Sequence, residues 1–323
     1  MQFDHVDGHL RLRFEAMASR HEILVACGDE ARARAALRAA HDEVRRIEAK
    51  YSRYRPDSVI SRINAAAGSL ERIRIDAETA ALLAFSARLH ELSGGLFDVT
   101  SGPLRHAWDF RAGREPTDEA LERLLPLVGW PRVEWDERSV RLARRGMELD
   151  FGGIGKEYAA DRAQAVLAQA GIEHGLVNLA GDLRVLDARD AGRPWTIGIQ
   201  HPRVADATCA GVRLARGALA TSGDYERFFI TPDGRRCCHI LDPRSGRPVT
   251  HWQSVSVILP SCAAAGALAT IAMLLGADAP RFLREQGAAY LAIDQSGRLH
   301  RHDLDPAVLL PETRTPDAFA TIP

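Results

Sequence analysis

The sequence predicts an α+β protein: mostly antiparallel sheets with packed helices. Three observations lead there. Residues with a three- and four-step apolar spacing concentrate in the first half of the chain. Short alternating segments separated by turn signals dominate the second half. No regular βαβ alternation and no internal repeat links the two, which argues against a doubly wound parallel sheet.

The elements follow in order. "LRLRFEAMASRHEILVAC" alternates and reads as two strands broken near Ala18 and Ser19. A helix follows from Asp29, with Leu37, Ala40, Val44, Ile47 and Tyr51 on one face and arginines on the other. "YSRYRPDSVISRINAAAG" is a loop around Pro56 and Asp57, then a short helical turn ending at Gly68. Asp76 is the N-cap of a second helix, which presents Leu82, Phe85, Leu89 and Leu92 and stops at Ser93-Gly94-Gly95. "TDEALERLLPLVG" is a short helix that Pro126 ends or kinks. "RVEWD" and "SVRLA" form a hairpin, and "MELDF" reads as one more strand. A helix then runs to Gly171. "GLVNLAGDLRVL", "WTIGIQHP", "AGVRLARGALATSG", "ERFFITPDGRRCCHILDP" and "SVSVILP" are strands with turns between them, and a helix pair spans 263–275 and 280–285. Residues 1–310 are expected to form a single domain, with two intertwined subdomains as the alternative, and 311–323 a peripheral tail.

Composition narrows the function classes. The 323 residues carry a formal net charge of −1, so no bulk basic field favours nucleic acid or an anionic membrane. The five cysteines are Cys27, Cys209, Cys237, Cys238 and Cys262, with no CxxC pair to suggest structural zinc. The N-terminus lacks an apolar signal core or twin arginine. Pro260 and Ser261 divide the most apolar run into a strand and a helix, so no membrane span is expected and the default location is the cytoplasm.

One corner carries chemistry. In "MELDFGGIGKEYAADRAQAVL" a strand-like segment delivers Asp150, then Gly152, Gly153 and Gly155, then Lys156, into a helix start. Glycines let backbone approach a phosphate closely, and free N–H groups with the helix dipole favour an anion. The pattern is neither GxGxxG nor a P-loop. "GLVNLAGDLRV" with Asn178 and Asp182, "ALATSGDYERFF" with Ser222, and "CCHILDPRSGRPV" with His239 and Asp242 have the same turn-rich polar character.

In order, "YSRYRPDSVISRIN", "GLFDVTSGPL", "LDFGGIGKEYAADRA", "LVNLAGDL", "TSGDYERFF", "HILDPRSGRPV" and "SVSVILPSCAAAGALAT" resemble the ApbE family of flavin transferases, from Met17 to about Gly276. The resemblance implies an ApbE-like fold and an FAD:protein FMN transferase. Such an enzyme uses Mg2+, transfers FMN from FAD to a threonine hydroxyl of an acceptor flavoprotein, and releases AMP. It also implies roles. Met17, Tyr54, Leu96, Phe97, Asp98, Asp150, Lys156, His239 and Ile240 match flavin-dinucleotide contacts. The Gly153 carbonyl and Thr270 match metal ligands. The general base stays open among His239, Asp242 and Asp182.

The chain departs from the family at three places. "AMAS" stands where Met-Gly-Thr is usual. Glu157 follows Lys156 where glycine is common. The family's Ala-Asp-Ala-Leu-Ala-Thr reads here "AGALAT", so Gly266 stands where the metal carboxylate is expected. Mg2+ favours one or two carboxylates, and Asp150 and Asp278 are open as replacements. Two further readings follow: an FAD-binding protein with a weakened or lost metal site, and an Mg2+-dependent FAD pyrophosphatase. Restoring the carboxylate as Gly266→Asp is expected to raise metal-dependent activity.

Overall fold

A computed structural model describes residues 1–304 except 27, 190 and 191. The tail expected at 311–323, and Cys27, lie outside the described residues. The chain opens with strands β1 (Gln2–Val6), β2 (His9–Ala16) and β3 (Ser19–Ala26), then helix α1 (Glu30–Tyr51), α2 (Val59–Ala65), strand β4 (Ile73–Arg74) and α3 (Ala77–Leu92). Next come α4 (Asp118–Leu124), β5 (Val133–Trp135), β6 (Ser139–Leu142), α5 (Gly155–Gln169), β7 (His174–Leu179), β8 (Asp182–Val185), β9 (Trp195–Gln200), β10 (Thr208–Leu214) and β11 (Gly217–Gly223). The last elements are β12 (Phe228–Ile230), β13 (Arg236–Cys238), β14 (Trp252–Leu259), α6 (Cys262–Leu275), α7 (Ala279–Glu285), β15 (Ala289–Asp294) and β16 (Leu299–His302).

Nine strands form one antiparallel sheet in the order β1-β2-β3-β7-β8-β11-β14-β15-β16. Its two faces bury different partners, as period-2 alternation requires. Ile23, Val25, Val177, Ala218, Ala220, Val255, Val257 and Ala292 pack with the helices. Leu24, Leu176, Leu219, Leu291 and Ile293 pack instead with Trp195, Ile197, Ile199, Val212 and Leu214 of the β9–β10 hairpin.

The caps and faces of the helices account for their limits. The Asp29 side chain accepts from Arg32 N–H, and Leu37, Ala40, Val44, Ile47 and Tyr51 are all buried on α1. Asp76 accepts from Thr79 N–H to start α3. The buried face of α3 differs from the expected one: Leu82 and Leu89 are buried beside Leu83 and Ser86, while Phe85 is only partly covered and Leu92 is exposed. "MELDF" is not a strand. Its extended backbone is held by one bridge, Ser101 to Glu148, and by Asp150 N–H donating to the Val99 carbonyl. The stretch Cys262–Glu285 is apolar and long enough to cross a membrane by composition alone, but α6 packs in the core and a short 3-10 turn at Gly276–Asp278 separates it from α7.

The β2–β3 turn uses Met17 and Ala18 in left-handed conformations, φ 49° and 59°. Beneath it, His21 donates from Nε2 to the Ala16 carbonyl at 2.8 Å, and its Nδ1 has no partner. Burial, aided by the charge of Lys156, pushes this imidazole down to about 4 from 6.5, although the Ala16 carbonyl acts the other way. The unfolded chain therefore binds the extra proton between those values. The stability tied to neutral His21 is full above pH 6.5 and drains as pH falls toward 4, by at most about 3 kcal/mol. Thermal melts should show a shallower fall in Tm between pH 7 and 5 for His21→Gln than for wild type; equal slopes would refute this.

Candidate active site

The glycine corner is built by a tight turn. Ile154 and Gly155 both donate N–H to the Phe151 carbonyl, at 3.0 and 2.7 Å. None of Gly152, Gly153 and Gly155 has a positive φ. Close approach is the reason at Gly153, where a Cβ would lie 3.3 Å from the Phe97 ring. Ile154 occupies the N-cap position of α5 and gives no side-chain cap; with the Ile154 and Gly155 N–H groups spent on Phe151, the Lys156 N–H is the first of the helix open to an anion.

Cations gather round this corner. Arg53 pairs with Asp150, which also accepts from Gly152 N–H at 2.9 Å. The Arg53 guanidinium lies over the Tyr54 ring and donates to its hydroxyl at 2.9 Å, and Tyr54 is 73% exposed. The hydrogen bond from Arg53, with the charges of Arg227 and Arg105, holds the Tyr54 phenol below its ordinary range. Lys156 donates to the Ala180 carbonyl at 3.1 Å and pairs with Asp182 at 2.9 Å. Desolvation works against its charge, but Asp182 and Glu157 outweigh it and hold its pKa above the usual lysine value.

His239 is exposed to solvent. The surrounding protein mass, then the charges of Arg227, Lys156 and Arg53, push it down to about 4, so it is neutral at pH 7. Of the three candidate bases, Asp182 and Asp242 are held in ion pairs, the latter with Arg244 at 2.9 Å; no such pair holds His239 among the described residues. Ile240 packs against the core. Leu96, Phe97 and Asp98 are buried, and the Asp98 carboxylate is used internally: it accepts from Thr100 N–H and hydroxyl and from Trp130 N–H. Any ligand contact at Asp98 therefore falls to its backbone.

Two helices meet behind Lys156. Asp161 of α5 accepts from Cys262 and Ala263 N–H, both at 2.9 Å, and from the Ser261 hydroxyl at 2.8 Å, which fastens the start of α6. Four residues earlier on α5, Glu157 lies against Gly266, four residues later on α6. The helices thus run in opposite directions in a four-residue register. Thr270 is the next such step along α6, and Gly153 precedes the start of α5. Thr270 and Ser222 share a hydrogen bond of 2.9 Å. Burial, reinforced by the Asp182 charge, pushes the Glu157 carboxyl up. The available donors are hard oxygens from carboxylates and hydroxyls, the set that suits Mg2+. Among the described residues, no group of three or more His, Cys, Asp and Glu side chains converges as a metal site.

A cleft of about 900 Å³ adjoins the corner at Ala180 and Gly181 and runs between the sheet and the β9–β10 hairpin, past Ala18, Thr221 and Tyr225. It does not enclose the corner: Tyr54, Phe97, Asp150, Lys156, His239, Ile240 and Thr270 do not line it, and the link is Ala180, whose carbonyl accepts from Lys156. Of the two open replacements for the carboxylate, Asp150 pairs with Arg53, and Asp278 pairs with Arg281 beyond the far end of α6. Sequence reasoning passed over Arg53 and Asp161. Asp161 carried one signal, its position four residues after Glu157 on the same helical face.

The ApbE family profile matches residues 17–292. The FAD:protein FMN transferase of Haemophilus influenzae is 31% identical over 270 residues, 78% of each chain. That of Vibrio cholerae is 33% identical over 239 residues, 72% of this chain and 71% of that protein. The solved ApbE protein of Thermotoga maritima aligns with a TM-score of 0.84 at 32% identity, covering 91% of this chain and 97% of that one. The apo flavinyl transferase ApbE of Pseudomonas stutzeri aligns at 0.81 and 29% identity, over 94% and 96%.

Proposed function

This chain belongs to the ApbE family, and on that premise we propose that it is an FAD:protein FMN transferase that uses Mg2+, moves FMN onto a threonine hydroxyl of an acceptor protein and releases AMP. What supports the reading is one chain of contacts: Lys156, in the uncapped first turn of α5, pairs with Asp182, Asp182 accepts from Thr221 N–H, and the adjacent Ser222 shares a hydrogen bond with Thr270. Arg53 joins Asp150 of the same corner to the exposed Tyr54.

Each part has a task. Tyr54 offers an aromatic face to the flavin. The Lys156 ammonium, with the main-chain N–H of the same residue in the first turn of α5, holds the pyrophosphate. The Gly153 carbonyl and the Thr270 hydroxyl would hold the metal, which would supply positive charge to stabilise the departing AMP. The acceptor hydroxyl oxygen forms a bond to the FMN phosphorus, the bond from that phosphorus to the bridging oxygen breaks, and AMP leaves with the electron pair. His239, neutral and outside any ion pair, takes the hydroxyl proton. Phosphoryl transfer asks mainly for positioning and charge stabilisation, which this corner is built to provide.

The test is incubation with FAD, Mg2+ and a threonine-bearing acceptor peptide. A fluorescent FMN adduct with one AMP per adduct is expected. Free FMN and AMP formed equally well without acceptor would make the protein a pyrophosphatase, and no AMP under any divalent metal would overturn the proposal.

A further inference from the structure

Gly266 lies buried inside α6, where glycine costs about 1 kcal/mol relative to alanine. Its φ is not positive, so conformation does not demand it. Space does. A Cβ at 266 would stand 2.5 Å from Glu157 Cγ and 2.9 Å from its Oε1. The Glu157 side chain fills the volume that any other residue at 266 would need.

The carboxylate placed there is unfinished. Glu157 is 8% exposed, and its Oε2 has no hydrogen-bond partner. A desolvated carboxyl oxygen left unsatisfied is costly, and the adjacent lysine does not relieve it, because Lys156 is engaged with Asp182 and the Ala180 carbonyl. One turn along α6 from Gly266 stands Thr270, bonded to Ser222. Glu157 therefore presents an unpartnered buried oxygen beside Gly266, with Asp182 close by and Thr270 one turn further along α6; carboxylate and hydroxyl oxygens are the donors a hard divalent cation takes.

We infer that Glu157 is the carboxylate ligand of the divalent cation in this chain, reaching from α5 into the space left by Gly266 on α6. The two departures from the family pattern, glutamate after Lys156 and glycine for the metal aspartate, are then one exchange: the carboxylate has moved between facing helices. The inference rests on the metal-dependent FMN-transfer reading and specifies its ligand.

The experiment titrates Mn2+ into FAD-loaded protein and follows the free-ion EPR signal, with flavin fluorescence quenching in EDTA as a separate measure of FAD binding. Glu157→Gln should bind FAD in EDTA as wild type does but lose Mn2+ affinity by about 10-fold or more. The exchange E157G/G266D should recover most of that loss. Gly266→Asp alone should gain nothing, because its Cβ collides with Glu157; this reverses the gain expected from sequence. Wild-type Mn2+ affinity in E157Q, or tighter Mn2+ binding by G266D alone, overturns the inference while leaving the transferase reading intact. A wild-type protein that takes up neither FAD nor Mn2+ overturns both.

Discussion

Lys156→Met is expected to lower stability by about 2–4 kcal/mol and Tm by roughly 5–10 °C, and to cut the rate of AMP release about 10²–10³-fold. Methionine keeps the length of the stem and removes the ammonium. Asp182, whose side chain is 3% exposed, is then left without its counter-charge. Removing one partner of a buried pair costs more than the pair contributes, because the remaining charge stays desolvated. The lysine head is itself 30% exposed, which keeps the cost below that of a fully buried pair. The rate effect has a separate origin, the lost positive charge at the pyrophosphate. Differential scanning calorimetry and an AMP-release assay check the two halves independently. A variant with wild-type Tm would show that Asp182 does not depend on Lys156, and one with a wild-type rate would remove Lys156 from the phosphate site.

The features that were legible in the sequence are those with a local cause. α1 shows its buried stripe and its Asp29 cap within a few residues of each other, and both hold. The β2–β3 break at Met17 and Ala18 shows as an interruption of alternation. "MELDF" misled because alternation reports which side chains are buried, and Met147, Leu149 and Phe151 are; it does not report whether a neighbouring strand is there to pair. β15 was not read as a strand at all. "AYLAID" is covered on both faces of the sheet, so it lacks the polar alternation that marks a half-exposed strand. β1 and β16 are the edges of the sheet and carry little apolar signal. At the site, the family motifs brought out Asp150, Lys156, His239 and Thr270. The pairing of Glu157 with Gly266 was beyond reach because no spacing rule connects residues on two separate helices. Each looked like an isolated loss until packing put one in the space of the other.

Asp161→Ala carries the second large effect, and it tests the register that makes this packing possible. Asp161 accepts three hydrogen bonds from the first turn of α6 and pairs with Arg184 at 3.0 Å. A carboxylate at a helix N-terminus satisfies orphan N–H groups and complements the dipole. Alanine leaves Cys262 and Ala263 N–H without this acceptor and Arg184 without its carboxylate, at a cost of about 3 kcal/mol. The larger consequence is positional. With this fastening gone, the four-residue register that sets Gly266 against Glu157 is loosened. Metal-dependent AMP release should therefore fall further than the loss of stability explains, even well below the lowered Tm. Asp161→Asn keeps an acceptor oxygen of similar reach and should retain much of both. Melting curves and AMP-release rates at 20 °C below each variant's own Tm separate the effects: a normal rate in Asp161→Ala would mean that the sheet, not this helix pair, fixes the oxygen donors in place.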